Sequence, residues 1–423
     1  CGLYVDGDRE RIPYEADAYI NQLSHYGVDS EYGMGRATLK HFITAPTWPT
    51  EWLLHMPLMA WAEYMATGDT AFLAEYYDDL KLRTLIALSR DDGLISTQTG
   101  LVTKELVHSL HLSNPPRDIV DWPPGSFTKG GTGERDGYEM LPINTVVNAF
   151  HHRAIVLMAR IARVLQKPDD AAELEARAVR VHDALNRVLF DADRGIYVDG
   201  EGSEHASLHA NMLPLAFGMV PAEHVASVAA FVRSRGMACS VYGAQYLLEA
   251  LYRAGEDDYA LSLMTAKHDR SWWNMLEIGS TMTLEAWDWR YKNNLDWNHA
   301  WGAAPANIIP RALMGVMPLE PGFAHLRIKP QIGSLSSAIL KAPTPRGPVH
   351  VAVERKDENG LSMTVELPEG TTADVHIPIG SHHAGSLTVD GKNVPATVQD
   401  GFIVLRRIDS GRHRFVWNCT LPD

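Results

Sequence analysis

Met317-Pro318-Leu319-Glu320-Pro321-Gly322 divides this chain into two textures. The prolines remove amide donors and stop a helix. Before this stretch, over residues 14–317, apolar residues recur at three- and four-residue spacing, the period of a helix with one buried face. After it, over residues 319–418, apolar and polar residues alternate in short runs, the period of a strand. The runs are 325–329, 350–355, 361–367, 374–377, 386–390, 402–405 and 412–417, and Asp390-Gly391 and Asn359-Gly360 are hairpin-turn signals. The expectation is a mainly α chain with a C-terminal all-β domain. Residues 1–317 would be helical and residues 318–423 an antiparallel β-sandwich.

Helices are expected at 14–26, 32–44, 50–66, 69–90, 139–165, 169–190, 204–217, 221–235, 240–254, 256–269, 281–289 and 298–315. Gly27, Pro46, Pro49, Gly68, Gly218, Pro221 and Gly255 supply the stops. Short connections pair these helices as antiparallel hairpins. Six hairpins closed in a ring make an (α/α)6 barrel, whose loops converge at one end of the inner ring. An open solenoid is the alternative, and no fixed-period repeat supports it. Two excursions interrupt the pattern. Residues 91–138 carry Gly93, Gly100, Pro115-Pro116, Pro123-Pro124-Gly125 and Gly130-Gly131, and residues 270–281 carry Trp272-Trp273. Loops of that length in a compact domain are commonly functional.

A chain of 423 residues accommodates two domains and a large core. Its net charge of -14 argues against nucleic acid as a partner. No basic run suits an anionic membrane surface, and no apolar stretch is long enough to span a bilayer. Cys1, Cys239 and Cys419 match no zinc or redox spacing and give no disulfide framework. Cys1-Gly2-Leu3-Tyr4-Val5 reads as the middle of a folded element and not as a signal peptide. An upstream region is therefore expected, and the compartment, periplasmic or cytoplasmic, stays open for a soluble chain. Several of the 11 tryptophans stand beside carboxylates or proline, among them Trp48, Trp122, Trp272, Trp273, Trp287, Trp289, Trp297 and Trp301. Aromatic faces beside carboxylates suit a carbohydrate, whose C–H faces stack on rings while its hydroxyls bond charged groups.

The chemistry concentrates in Asp6-Gly7-Asp8-Arg9-Glu10-Arg11-Ile12-Pro13-Tyr14-Glu15-Ala16-Asp17. Pro13 forces a loop before it and tolerates a helix start after it, so charged groups gather at a helix entrance. Glycoside hydrolysis with inversion needs a carboxylic acid as proton donor and a second carboxylate as base, spaced to admit a water. Glu10 is the candidate donor; its flanking arginines favour the charged form, so burial or the neighbouring acids must oppose them. Glu285, in Gly279-Ser280-Thr281-Met282-Thr283-Leu284-Glu285-Ala286-Trp287, is the candidate base, with Ser280 or Thr281 capping a short helix. Glu277 is its rival. His299, in Asn298-His299-Ala300-Trp301-Gly302, would bind a sugar hydroxyl or hold the base. Asp118-Ile119-Val120-Asp121-Trp122-Pro123-Pro124 adds carboxylates, with Asp121 a candidate contact, to a rigidly placed Trp122. No metal-ligand spacing accompanies these residues, and no phosphate loop or dinucleotide fingerprint is present, so neither metal nor cofactor is expected.

These segments resemble glycoside hydrolase family 78, the α-L-rhamnosidases, across essentially the whole chain. Asp6, Arg9-Glu10-Arg11, Tyr14 and Asp17 are similar to the family's acid motif, the segment ending Glu285-Ala286-Trp287 to its base motif, and Asn298-His299 with Gly302 to its Asn-His-x-x-Gly segment. The resemblance implies an (α/α)6 barrel with a following β-domain and an inverting hydrolase acting on terminal α-L-rhamnose. Glu10 would be the acid and Glu285 the base. Asp6, Arg9 and Asp17 would hold sugar hydroxyls, Tyr14 and Trp122 would stack, and His299 would lie nearby. The segment between Asp6 and Arg9 is shorter than the family's, so either Asp6 or Asp8 would fill the sugar-binding place. Tyr14 stands where the family more often has tryptophan. The alternatives are an (α/α)6 enzyme on another sugar, including a uronate polysaccharide lyase using His299 and Tyr14, and a non-catalytic carbohydrate-binding relative.

Overall fold

Six helices, each burying much of its surface, make an inner ring: Glu15–Val28 (α1), His55–Thr67 (α2), Thr145–Val164 (α3), Leu208–Phe217 (α4), Gly243–Arg253 (α5) and Ala304–Ile308 (α6). Each packs against the next and α6 packs against α1, so the ring closes on itself. The outer layer includes Gly33–Thr44 against α1 and α2, Pro168–Val188 against α3, Val225–Arg235 against α4, and Asp257–Met264 against α5. This is the (α/α)6 barrel, in a computed structural model that describes residues 2–124, 133–356, 360–379 and 384–419. Cys1, Gly125, Gly130, Gly131 and Asn359, on which parts of the sequence reading fell, lie outside the described residues.

Local chemistry sets the helix ends. Asn144 caps α3 by accepting from the Val147 amide at 2.9 Å, and Ser207 caps α4 by accepting from the Ala210 amide at 3.1 Å. Gly68 and Gly218 end α2 and α4 in the left-handed region, at φ 77° and 71°.

Four expectations are corrected. The expected helix 69–90 breaks into Ala71–Glu75, Tyr77–Leu82 and a 3-10 turn Ile86–Leu88, with Leu85 at φ 59° leaving the helical path. Residues 281–289 are not helical. The helix in this region is Trp272–Glu277, inside the expected loop, because the Ser271 side chain, not Ser280 or Thr281, caps it by accepting from the Asn274 amide. The backbone around Glu285 pairs instead with residues 296–299: Glu285 N–H donates to Asp296 O at 3.1 Å, and His299 N–H to Thr283 O at 2.8 Å. The expected helix 298–315 breaks into a 3-10 turn Ala300–Gly302, α6, and a π turn Ile309–Leu313, with Pro305 and Pro310 interrupting the donor ladder. Within the expected loop 91–138 a helix forms at Lys104–Ser109, capped by Thr103.

The β part is two facing sheets. One runs Lys392–Val394, Gly385–Val389, Gly411–Cys419, Gly360–Leu367, Val349–Lys356, Ser337–Ala342; the other runs Val398–Gln399, Phe402–Ile408, Thr372–Pro378, His325–Ile328, Met317–Pro318. Pairings are antiparallel except His325–Ile328 with Thr372–Pro378, which is parallel. Alternate residues, such as Val351, Val353, Met363, Val365 and Phe415 on one sheet and Leu326, Ile328, Val375, Ile377 and Ile403 on the other, are buried and share one apolar core.

Barrel and sheets meet where Lys329 N–H donates to Gly315 O at 3.2 Å and Gln331 N–H to Leu313 O at 2.7 Å. Among the described residues no helix is long and apolar enough to cross a membrane.

Candidate active site

The N-terminal ends of α1 and α2 open onto one cleft. Just before α1, the acidic loop folds on itself: Asp6 N–H donates to Ile12 O at 3.2 Å and Arg11 N–H to Asp6 O at 3.0 Å. Tyr14 is extended and Glu15 begins the helix, two residues after Pro13. The loop docks on Asp296. Arg9 N–H donates to Asp296 Oδ1 at 3.0 Å, and a Cβ on Gly7 (φ +24°) would stand 2.5 Å from Asp296 Oδ2. That close approach requires glycine.

The Arg9 guanidinium organises the carboxylates. Its Nη1 lies 2.9 Å from Glu10 Oε1, its Nη2 lies 3.2 Å from both Glu285 oxygens, and its Nε lies 3.5 Å from Asp296 Oδ1. Glu285, 2% exposed, also accepts from the Asp296 amide at 3.0 Å and faces Lys292 Nζ at 3.1 Å. Trp301 Nε1–H donates to Glu285 O at 3.0 Å. The base candidate is thus fixed at backbone and carboxylate, whereas Glu10 keeps a partly exposed side chain.

Asp6 and Asp17 are buried beside each other. Burial, and then mutual repulsion with nearby carboxylates, pushes both well above the usual carboxylate range; a hydrogen bond between the two side chains opposes this at Asp6. A pair of this kind holds a proton. Asp296 is pushed up to about 6 by burial first and by its hydrogen bond with Asp8, while Arg9 opposes the rise. His299, 1% exposed, is pushed down to about 3 by burial, reinforced by Lys292 and Arg9. It is neutral, with Nε2 3.7 Å from Asp17 Oδ1.

Glu10, Asp17, Glu285 and His299 supply the polar wall of the cleft, and Tyr14, Trp48, Trp52, Trp122 and Trp301 its aromatic wall. Asp6 lies just behind Asp17. Asp8 is exposed, outside the lining, and meets Asp296. Asp121 is 1% exposed, with its oxygens taken by His209 Nε2 at 2.6 Å, the Ser240 amide at 3.0 Å, the Ser240 hydroxyl and the Trp122 amide. It therefore stands behind Trp122 and anchors it instead of facing the cleft. Glu277 is exposed and lines no part of it. Trp52, Lys292 and Asp296 were not singled out from sequence. Trp52 reads as helix core, and Lys292 sits in a polar run whose periodicity gives no sign of burial.

Two overlapping trios, Asp6-Asp17-His299 and Glu10-Asp296-His299, place ligand atoms within 4.8 Å of one another. Arg9 and Lys292 beside them already supply positive charge, which disfavours a further cation.

The family model described as the bacterial alpha-L-rhamnosidase 6 hairpin glycosidase domain matches residues 1–313, and that of the bacterial alpha-L-rhamnosidase C-terminal domain matches residues 315–390. The chain belongs to the bacterial α-L-rhamnosidase family. This is what the motif resemblance to glycoside hydrolase family 78 implied. A curated α-L-rhamnosidase of Alteromonas sp. (strain LOR) is 24% identical over 356 residues, 80% of this chain and 35% of that protein. One of Formosa agariphila is 22% identical over 391 residues, 87% of this chain and 38% of that protein. The chain thus spans little more than a third of the length of these two rhamnosidases. Among solved structures, the α-L-rhamnosidase of Dictyoglumus thermophilum superposes with TM-score 0.79 at 19% identity, covering 99% of this chain and 47% of that one. The Streptomyces avermitilis α-L-rhamnosidase complexed with L-rhamnose gives 0.76 at 20% identity, covering 98% and 39%. Both show the shared rhamnosidase fold.

Proposed function

We propose that this chain is the catalytic part of an inverting α-L-rhamnosidase that removes terminal α-L-rhamnose from glycosides or polysaccharides. Glu10 is the general acid and Glu285 the general base. The observation that carries the proposal is the Arg9 fork, which touches both carboxylates at the rim of one aromatic cleft. A single planar guanidinium contacts both and so holds the two carboxyl groups apart on its own two arms. Inverting hydrolysis places the two carboxyl groups about 6.5–9.5 Å apart, so that a water fits between base and sugar.

Glu10 gives its proton to the glycosidic oxygen as the bond to the anomeric carbon breaks. Glu285 takes a proton from the water that forms the new bond on the opposite face, so the sugar leaves with inverted configuration. Lys292, the Asp296 amide and Arg9 aim the Glu285 carboxylate. The Asp6–Asp17 pair offers both a donor and acceptors to vicinal hydroxyls, and Arg9 offers further donors. His299 Nδ1 is buried without a hydrogen-bond partner among the described residues and suits another hydroxyl. Tyr14 and Trp122 stack against the apolar sugar face. Asp8 tunes Asp296 and makes no sugar contact in this reading. The chemistry needs only two carboxyls and water.

The test is hydrolysis of an aryl α-L-rhamnoside with proton NMR of the first-formed sugar. The β-anomer should appear first, and Glu10→Gln and Glu285→Gln should each lower kcat about 10³-fold or more while leaving the fold intact. First release of the α-anomer, or full turnover in either variant, would overturn the assignment.

A further inference from the structure

The other end of the barrel carries a second cavity, of about 520 Å³, four times the roughly 130 Å³ of the active cleft. α1 places Asp17 at the cleft and Leu23 and Tyr26 at this cavity, about 9 and 14 Å further along its axis. Trp61 and Met65 from the end of α2, Leu157 from α3 and Phe323 from the β part complete an apolar, aromatic wall. Into it project Arg153, Arg160 and Arg311.

Arg311 is paired with Glu249 at 3.0 Å. The other two are not paired. Among the described residues, neither Arg153 nor Arg160 makes a hydrogen bond or has a carboxylate within 4.0 Å; each only lies over a ring, Phe217 at 5.9 Å and Trp61 at 5.8 Å. Arg160 and Arg253 add repulsion at Arg153, which Glu249, in contact with Arg311, offsets only from beyond 4.0 Å. A helix C-terminus accounts for Arg253, the last residue of α5, but Arg153 sits in the middle of α3. A chain with 52 acidic and 38 basic residues has thus crowded carboxylates at one barrel end and, among the described residues, left Arg153 and Arg160 without a contacting carboxylate at the other. A half-buried guanidinium in apolar surroundings is costly without an anion, and a cavity of this size falls in the range of small-molecule sites.

We propose that this cavity is a binding site for a small organic anion with a flat, apolar body, its ring among Tyr26, Trp61 and Phe323 and its acidic group on Arg153 and Arg160. The inference stands independently of the hydrolytic reading.

1-Anilinonaphthalene-8-sulfonate is a suitable probe, with N-phenyl-1-naphthylamine as its neutral counterpart. Fluorescence titration of the chain should show one saturable sulfonate site that L-rhamnose does not displace and that Glu10→Gln leaves unchanged. Arg153→Gln and Arg160→Glu should each weaken the sulfonate at least tenfold and leave the neutral probe unaffected. Arg160 is exposed, so its variant decides the matter even if Arg153→Gln fails to fold. Equal sulfonate affinity in the Arg160 variant, displacement by rhamnose, or a dimer in sedimentation that excludes the probe would each overturn the proposal, the last by giving this face to a second copy of the chain.

Discussion

Arg9 makes a point-charge description of the site inadequate. One guanidinium touches Glu10, Glu285 and Asp296 at once, which only a planar fork can do. Arg9→Lys keeps the charge and loses the bridge. It should lower kcat/KM roughly ten- to a hundredfold, about 1.4–2.7 kcal/mol of transition-state stabilisation, and steady-state kinetics on an aryl α-L-rhamnoside measure this. Unchanged kinetics would remove the bridge from the mechanism. Asp296 supplies a second prediction at this scale. Its pKa is raised to about 6 in the folded protein, against about 3.9 in an unfolded chain. The folded state therefore binds more protons between those values, and the group's contribution to stability falls as pH rises from about 4 to about 6, then levels. Asn cannot ionise, so in urea titrations wild type should lose stability relative to Asp296→Asn across that window and show a constant difference above it. A difference that does not vary with pH would show that Asp296 does not titrate there. That Glu10, Glu285 and His299 line one cleft could be expected from sequence because their neighbours form motifs. The burial of Lys292 and Asp296 could not, because it comes from a fold-back that no local pattern announces.

At the level of elements, periodicity identified the long helices Thr145–Val164 and Pro168–Val188, overran the breaks within 69–90, and failed where backbone pairing replaced it. Residues 281–289 have apolar spacing compatible with a helix, yet the backbone at Thr283 and Glu285 bonds to residues 296–299, and the helix starts at Trp272 instead because Ser271 can cap it. A cap decides between near-equal short segments when packing does not. The acidic loop shows the same dependence on distant backbone. Gly7 lies at positive φ with Asp296 and Asn298 O inside the space a Cβ would need. Gly7→Ala must therefore push the loop off Asp296 and carry Arg9 and Glu10 with it. Since α1 and its core are untouched, activity should fall about a hundredfold or more for a loss of about 1–2 kcal/mol in stability, read by comparing kcat with the urea midpoint. A variant losing both in proportion would make Gly7 a general folding residue.

Taken whole, the molecule is a closed ring stitched to a sandwich, and both halves were legible because each texture persists over many residues. The last turn of the barrel ends at Leu313 and the first strand of the sandwich begins at Met317, beside the change of period in the sequence. The stitching was not legible, since it depends on which backbones touch. Gly315, at φ +68°, lies so close to Lys329 that a Cβ would come within 2.0 Å of Lys329 O. The flanking bonds, Lys329 N–H to Gly315 O and Gln331 N–H to Leu313 O, join the last helical turn to the strand end. Gly333 N–H to Asp257 Oδ2 at 3.0 Å holds the sheets beside the barrel elsewhere. Gly315→Ala combines an unfavourable backbone conformation with a contact that backbone cannot relieve cheaply, so it should cost about 2–4 kcal/mol. The loss falls on the junction and spares both cores, the barrel's and the sandwich's. Calorimetry should show a lowered, broadened transition in which sheet and barrel unfold in separate steps, with near-UV circular dichroism of the tryptophan-rich barrel following one step only. A single transition at the wild-type temperature would mean that the two parts are coupled through their packed faces, with the backbone stitch contributing little.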